Sequence, residues 1–164
     1  KRGGMPLAPF NAWVVLKGLE TLGIRMRAQS AQALALAQWL ENHAAVDRVY
    51  YPGLASHPQH HLAMSQQGGL GGAVLSFAVK ATNPDDARKR AFHVLDSMQV
   101  VSLATNLGDT KSMGTHPAST SHGRMTEAQR QSAGIGQGLI RVAVGLEHIE
   151  DIKTDCARGL DTLT

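Results

Sequence analysis

The chain has 164 residues, of which 43% are hydrophobic and 4% aromatic, and its formal net charge is +3. A chain of this length can bury roughly 70% of the surface that its unfolded form would expose, which predicts a folded domain with one core. Its basic residues are dispersed and no basic run is interleaved with stacking aromatic residues, which argues against a nucleic-acid-binding protein.

The first predicted element is helical, and we assign residues 1–42 to an N-terminal helical segment. Apolar residues between Ala12 and Leu19 recur at helical spacing. Gly23 predicts a bend before a second helical stretch over 29–42. We expect residues 43–164 to form an α/β domain into which this segment leads.

Four strands are predicted downstream, because four runs rich in apolar and β-branched residues are bounded by glycine, proline or polar residues. In chain order they cover 46–51, 73–79, 100–104 and 139–144. Pro52 directly follows the first run and should end it.

Helices are predicted between and after these strands. A short helix over 60–66 follows the S-H-P-Q-H-H loop. Asn83, followed by a proline and two aspartates, predicts a capped helix that runs to about residue 96. Thr126 opens another short helix, and 148–160 forms the last one. Strands separated by helices that pack on one face predict an α/β or α+β sandwich.

Arg141 is the one charged residue in the last predicted strand, L-I-R-V-A-V. A guanidinium cannot lose its charge and is costly to bury unpaired, so it requires a carboxylate partner. By alternation, Leu139 and Ala143 lie on its side of the strand, and neither is acidic. The partner is therefore either a protein carboxylate elsewhere in the fold or a bound carboxylate ligand. The hydroxyl-, amide- and glycine-rich stretch upstream, over 102–123, favours an anion-binding site.

Six longer motifs follow one another along the chain. They are A-P-F-N-A-W-V-V-L-K-G-L-E-T-L, R-V-Y-Y-P-G-L-A-S-H-P-Q-H-H-L-A, G-G-A-V-L-S-F, N-L-G-D-T-K-S, H-P-A-S-T-S-H and L-I-R-V-A-V-G-L-E. In this order and spacing they resemble the C-terminal region of the Cys/Met-metabolism pyridoxal-phosphate enzymes. The resemblance implies the C-terminal domain of the fold type I pyridoxal-phosphate transferases. That domain has a small, mostly antiparallel, four-stranded sheet with helices on its outer face and a long N-terminal helix.

Within that family, T-N-L-G-D-T-K-S and H-P-A-S-T-S-H-G-R are most similar to the O-succinylhomoserine sulfhydrylases. The resemblance implies replacement at Cγ, in which O-succinylhomoserine and sulfide give homocysteine and succinate during methionine biosynthesis, in a homotetramer. O-acetylhomoserine sulfhydrylases share asparagine at position 106 and remain an alternative. Cystathionine γ-synthases and γ-lyases usually have serine there and are a second one. An autonomous, non-catalytic binding or assembly module is the alternative from another class.

The resemblance also implies roles for three residues. Arg141 binds the α-carboxylate of the amino-acid substrate. Asn106 stands beside the cofactor and that carboxylate, although N-L-G-D is also ordinary turn chemistry. Ser121 falls where several relatives have a threonine near the substrate entrance.

The resemblance further implies that the lysine which bonds to pyridoxal phosphate lies upstream of Lys1, with the residues that hold the cofactor's ring and phosphate. We therefore expect a cofactor-binding N-terminal domain as the partner of this sequence, no catalytic or cofactor-binding residue within it, and no activity from it alone. Lys111 is the only lysine in the polar loop, and its implied role is structural.

Eight histidines suggest a metal site, but S-H-P-Q-H-H lacks the acid and the spacing of a zinc motif, so we expect none. The glycine cluster Q-G-G-L-G-G precedes a strand instead of opening a helix, which predicts a bend and not a nucleotide loop. Cys156 is the single cysteine, so there is no disulfide framework. With no secretory signal or bilayer-spanning run, we expect a cytoplasmic protein.

Overall fold

A computed structural model describes residues 7–163 of the chain. Residues 1–6, which include Lys1 and the start of the predicted helical segment, lie outside the described residues. The described helices are α1 (Pro9–Glu20), α2 (Leu22–Glu41), α3 (His60–Gln66), α4 (Pro84–Asp96), α5 (Glu127–Ser132) and α6 (Ile149–Leu160), followed by a 3-10 turn (Asp161–Leu163). The strands are β1 (Val46–Tyr50), β2 (Val74–Val79), β3 (Ser102–Leu103), β4 (Met113–Thr115) and β5 (Leu139–Ala143).

The strands form one sheet in the order β1-β2-β5-β4-β3. All neighbouring strands are antiparallel except β3 and β4, which are parallel. The mixed α/β class and the mostly antiparallel sheet are as predicted, but the count of four strands was wrong. The missed strand is β4, whose sequence M-G-T has no run of apolar residues and is stabilised by pairing on both sides.

The core lies between one face of the sheet and three helices, α2, α4 and α6. Alternate residues of β2 and β5 point into it, and Phe77, Ile140 and Val142 are fully buried. Each such side chain contributes about 1.5–3 kcal/mol through the removal of apolar surface from water. The other face of the sheet carries no helix from this core cluster, so its side chains are available for other contacts.

Local capping chemistry sets two of the helix starts. The Asn83 side chain accepts a hydrogen bond from the Asp86 amide at the start of α4. Thr126 and Gln129 form a reciprocal capping box at the start of α5. Both starts agree with the sequence prediction, because the signal for a helix cap lies within four consecutive residues.

The predicted bend at Gly23 was misplaced by two residues. The chain leaves the helical conformation at Thr21, and Gly23 lies inside α2. Arg25 accounts for the position of the break, because its Nη2 donates to the Gly18 carbonyl at 2.8 Å and its Nε to Thr21 Oγ1 at 3.4 Å. These contacts satisfy polar groups that are left open where α1 ends.

The glycine cluster forms the predicted bend into the sheet. Gly68, Gly69 and Gly72 have positive φ angles of 61°, 80° and 82°, which residues other than glycine rarely adopt. The buried Tyr51 hydroxyl holds this bend against α2, because it donates to the Gly72 carbonyl oxygen at 2.9 Å and lies 3.2 Å from the Ser30 carbonyl oxygen. Burial raises the pKa of Tyr51 to about 12.

A buried carboxylate fixes the segment that leads into β3. Asp155 on α6 is fully buried, and its oxygens accept the amides of Gln99, Val100 and Val101 at 2.7–2.9 Å. Arg158 Nε lies 3.5 Å from the same carboxylate. One side chain thereby sets where β3, and the loop that follows it, leave the core.

Helix α1 differs from the other long helices, because none of its residues is buried. Its apolar side chains are exposed: Phe10 is 70% accessible, Trp13 55% and Leu16 56%. An exposed apolar surface of this kind is a candidate contact surface.

Candidate functional site

Four side chains form a row across the open face of the sheet. Arg141 of β5 pairs in register with Ser76 of β2 on one side and with Thr115 of β4 on the other. Tyr50 of β1 continues the row beside Ser76. Because residues paired in register lie on the same face, the guanidinium stands between two hydroxyl-bearing strands.

Arg141 has an open guanidinium. Its side chain is half-buried, and Nη2 donates to the Thr105 carbonyl oxygen at 2.6 Å. Within residues 7–163 it forms no ion pair, whereas five other lysine and arginine residues there do. A guanidinium has five N–H donors, so most of its capacity remains for a ligand. The sequence left two partners open, a protein carboxylate and a bound ligand. The described residues do not supply the protein carboxylate.

Asn106 lies next to this contact. The carbonyl that Arg141 binds belongs to the peptide bond between Thr105 and Asn106, so the structure brings these two predicted site residues together. The Asn106 side chain is exposed, in a loop over residues 104–112 that connects β3 to β4. Its amide is free to donate to and accept from a ligand beside the guanidinium.

Ser121 lies in the turn that follows β4. Its hydroxyl is exposed, 2.9 Å from His122 Nδ1. The turn is tied to the sheet by the preceding residue, because Thr120 Oγ1 lies 3.0 Å from Thr115 Oγ1. Ser121 is therefore near the strand that borders Arg141, but no contact joins it to Arg141 or Asn106.

His116, one of the eight histidines weighed above as metal ligands, has a structural role in this region. Its ring is 2% exposed and packs edge-on against Phe92. Nε2 donates to the Gln137 carbonyl oxygen at 2.7 Å, so Nδ1 accepts from Ser119 Oγ at 2.8 Å in the neutral tautomer. Burial, the largest cause, lowers the pKa of His116. The neutral imidazole thus fixes the turn that carries Ser121.

A cavity of about 260 Å³ borders the same loop from the α4 side. It is lined mainly by apolar surface, and its walls include Phe92, Leu103, Thr105 and His116. Since Thr105 borders both this cavity and the guanidinium of Arg141, the loop separates the polar site from an apolar space.

No group of three or more His, Cys, Asp or Glu converges to hold a metal ion in the part of the chain that the structure describes. Among the same described residues, none of the helices is long and apolar enough to cross a membrane. Cys156 is fully buried in α6, and burial raises the pKa of its thiol to about 12.

The model for the Cys/Met metabolism PLP-dependent enzymes matches residues 1–161. The chain belongs to this family of pyridoxal-phosphate enzymes, as its motifs predict. Its curated relatives include the O-succinylhomoserine sulfhydrylase of Pseudomonas aeruginosa, with 57% identity over 99% of this chain, and that of Mycobacterium tuberculosis, with 47% over 96%. The L-methionine gamma-lyase of Porphyromonas gingivalis is 41% identical over 98%. The chain spans 39%, 38% and 39% of these three relatives.

Two solved structures have the same fold. One is an O-acetylhomoserine (thiol)-lyase from Campylobacter jejuni that carries a pyridoxyl-lysine monophosphate, with a TM-score of 0.87 and 38% identity over 96% of this chain. The other is the cystathionine gamma synthase of Xanthomonas oryzae in complex with cystathionine, with a TM-score of 0.85 and 39% identity over 95%. The chain covers 36% and 39% of these structures.

The described lysines do not fit the covalent attachment of pyridoxal phosphate. A lysine that bonds to an aldehyde needs a pocket that aligns its amine and lowers its pKa. Lys80, Lys89 and Lys111 are exposed, and Lys17 and Lys153 pair with glutamates on the surface of their helices. None of the lysines among residues 7–163 therefore provides a site for the covalent attachment of the cofactor.

Proposed function

We propose that this chain is the substrate-carboxylate-binding domain of a sulfhydrylase that forms homocysteine from O-succinylhomoserine and sulfide, in methionine biosynthesis. The observation that carries the proposal is the half-buried Arg141, which has no carboxylate partner among residues 7–163 and faces the open side of the sheet. The first two curated relatives named above, which are O-succinylhomoserine sulfhydrylases, support the choice of reaction.

Arg141 contributes charge and position. A carboxylate and a guanidinium form two parallel N–H···O bonds, which fix direction as well as distance. The Thr105 carbonyl already holds one edge of the guanidinium, so less rotational freedom is lost when a ligand binds. A carboxylate held at two points fixes the orientation of the substrate's Cα bonds, and such orientation contributes several kcal/mol to catalysis.

Asn106 would complete the site with an amide that can donate to the substrate carboxylate. Serine at this position, which the family resemblance associates with γ-synthases and γ-lyases, offers a shorter side chain with one hydroxyl. Asn106 is therefore the residue of this chain that we expect to favour sulfide replacement over elimination. Ser121 would lie at the entrance, on the turn fixed by His116.

Pyridoxal phosphate supplies the electron sink for chemistry of this class. We place its lysine, ring contacts and phosphate contacts in an N-terminal domain of the same enzyme, which we expect to form a cytoplasmic homotetramer. The exposed apolar side chains of α1 support a larger assembly, because an autonomous binding module of this size should cover them.

The test is a product assay with the intact protein and pyridoxal phosphate. O-succinylhomoserine, O-acetylhomoserine, cystathionine and methionine are each supplied with sulfide, and homocysteine and 2-oxobutyrate are measured. The proposal predicts homocysteine from O-succinylhomoserine at the highest kcat/KM, and a shift toward 2-oxobutyrate in Asn106→Ser. Faster release of a thiol and 2-oxobutyrate from methionine would instead support a γ-lyase, which the 41% identical relative makes the second candidate.

Borohydride trapping locates the cofactor in the same preparation. Reduction followed by peptide mapping should identify one modified lysine, and it should lie outside residues 7–163. A stoichiometric adduct on Lys111 would contradict this placement.

A further inference from the structure

The loop that presents Thr105 and Asn106 is held at its far end by the carboxylate of Glu147. Glu147 Oε1 accepts the Ser112 amide at 2.7 Å, and Oε2 accepts the Ser112 hydroxyl at 2.8 Å. That hydroxyl in turn accepts the Gly145 amide at 2.8 Å. Glu147 thus binds the end of the loop to the segment that directly follows β5.

The fit between these two segments is tight at Gly145. A Cβ added there would lie 2.5 Å from both Lys111 C and Ser112 N, and it would also contact the Glu147 carboxylate. Such distances require one of the two segments to move. The loop therefore passes directly against the end of the strand that carries Arg141.

Gln29 of α2 makes a second clamp on the same loop. It is 1% exposed, and its Nε2 donates to the carbonyl oxygens of Asp109 at 2.7 Å and Val144 at 3.0 Å. One buried amide thus joins a helix, the loop and the end of β5. The Leu146 amide adds a bond to the Thr110 carbonyl at 2.8 Å.

The tip of the loop is held differently. Residues 105–108 are exposed, and the contact between the Thr105 carbonyl and Arg141 is the hydrogen bond that ties this tip to the sheet. Two restraints flank this tip: the Ala104 amide, which donates to the Gly114 carbonyl oxygen at 3.1 Å, and the clamp on residues 109–112. Glu147 lies six residues after Arg141, in the segment that follows β5.

We propose that Glu147 is a positioning residue for substrate binding, which acts by holding residues 109–112 so that the Thr105 carbonyl keeps Arg141 aimed at the ligand. This inference rests on the proposed function, because it concerns the affinity of the same site. A carboxylate suits the role because both its oxygens accept and both face donors. In Glu147→Gln one of these oxygens becomes an NH2 group, so a single uncharged acceptor remains for the two donors of Ser112.

The test compares Glu147→Gln and Glu147→Ala with wild type in the intact protein with its cofactor. Glu150→Gln is the matched control, because Glu150 lies on the surface of α6 and pairs with Lys153. We expect KM for O-succinylhomoserine to rise about tenfold in Glu147→Gln, the size typical of residues that are coupled through shared contacts. KM for sulfide should stay unchanged, and so should both constants in the control.

A double variant separates positioning from general destabilisation. If Glu147 acts through Arg141, then Glu147→Gln should add little to the rise in KM that Arg141→Lys already causes. Multiplicative effects of the two changes would overturn the proposal, as would an unchanged KM for O-succinylhomoserine in Glu147→Gln.

Hydrogen exchange distinguishes failure of this inference from failure of the proposed function. If wild type turns over no O-acylated homoserine, the proposed function fails, and the clamp is then judged by the exchange of the Ser112 and Ala104 amides. At least tenfold faster exchange at both positions in Glu147→Gln, but not in Glu150→Gln, would support control of the loop by Glu147. Unchanged exchange would overturn it.

Discussion

Asp155 provides the sharpest test of how the fold positions β3. Its carboxylate is fully buried and accepts three backbone amides, of which that of the buried Val101 cannot be rehydrated without opening the core. The amides of the exposed Gln99 and Val100 can turn to water. A hydrogen bond to a charged acceptor contributes about 1.5–3 kcal/mol, and a stranded buried donor costs about 1–3 kcal/mol.

From these values we expect Asp155→Ala to lower the free energy of unfolding by about 4 kcal/mol. In Asp155→Asn the amide oxygen can occupy the place of Oδ2, which accepts Val100 and Val101, while its NH2 group opposes the Gln99 amide. The expected loss is then about 2 kcal/mol. Asp151→Asn, at an exposed position in the first turn of α6, should cost less than about 1 kcal/mol through the helix dipole.

The assay is equilibrium urea unfolding of the purified protein at pH 7, followed by circular dichroism. The order of stability should be wild type, then Asp151→Asn, Asp155→Asn and Asp155→Ala. If both Asp155 variants unfold with the same free energy as Asp151→Asn, the buried carboxylate does not fix this segment and the reasoning is refuted.

Three further predictions concern other buried groups. Burial lowers the pKa of His116 below its usual 6.5, so the unfolded chain binds this proton more readily than the native protein does. Stability should therefore fall as pH decreases below about 6.5, and it should fall less in His116→Gln. Equal pH dependence of the urea midpoints in the two proteins would contradict this. The Cys156 thiol, with its pKa raised to about 12, should react with an aromatic disulfide reagent at pH 7 only after denaturant is added, so rapid labelling of the native protein would count against its burial. A Cβ on Gly159 would lie 2.6 Å from Val94 Cα, so Gly159→Ala should lower the free energy of unfolding by about 1–3 kcal/mol. Gly18 has open space around it, so Gly18→Ala should raise the free energy of unfolding by about 0.5–1 kcal/mol. Equal melting temperatures for the two variants would refute the tight α4–α6 contact.

Local signals in the sequence predicted the elements that depend on neighbouring residues. The cap at Asn83 and the box at Thr126 are formed within four residues, and the apolar run around Ile140 defines its strand without any partner. Strand β4 could not be predicted in this way. Its three residues form a strand only because β5 and β3 lie on either side of them.

The site was predictable in part for the same reason. The sequence singled out Arg141 as a charge in an apolar strand, but it could not exclude a protein carboxylate, because such a partner can come from any part of the chain. The clamp by Glu147 was also invisible, since Ser112 lies 35 residues away in the sequence. Long-range register, and not local propensity, decides which polar groups meet.

The central claim is that Arg141 binds the α-carboxylate of the substrate. The most direct measurement is the affinity of the intact protein for L-homoserine and for its α-amide, which lacks the carboxylate. Binding is detected through the change in absorbance of the cofactor. Wild type should prefer the acid, and Arg141→Gln should weaken binding of the acid about 100-fold and abolish the preference, as expected for loss of a charged two-point contact.

Arg48→Gln is the matched control, because it removes an exposed cation from the same sheet, where Arg48 lies over the Tyr50 ring. It should change the affinity for the acid by less than about twofold, since an exposed charge contributes little. An unchanged preference for the acid in Arg141→Gln, or an equal loss in both variants, would contradict the account.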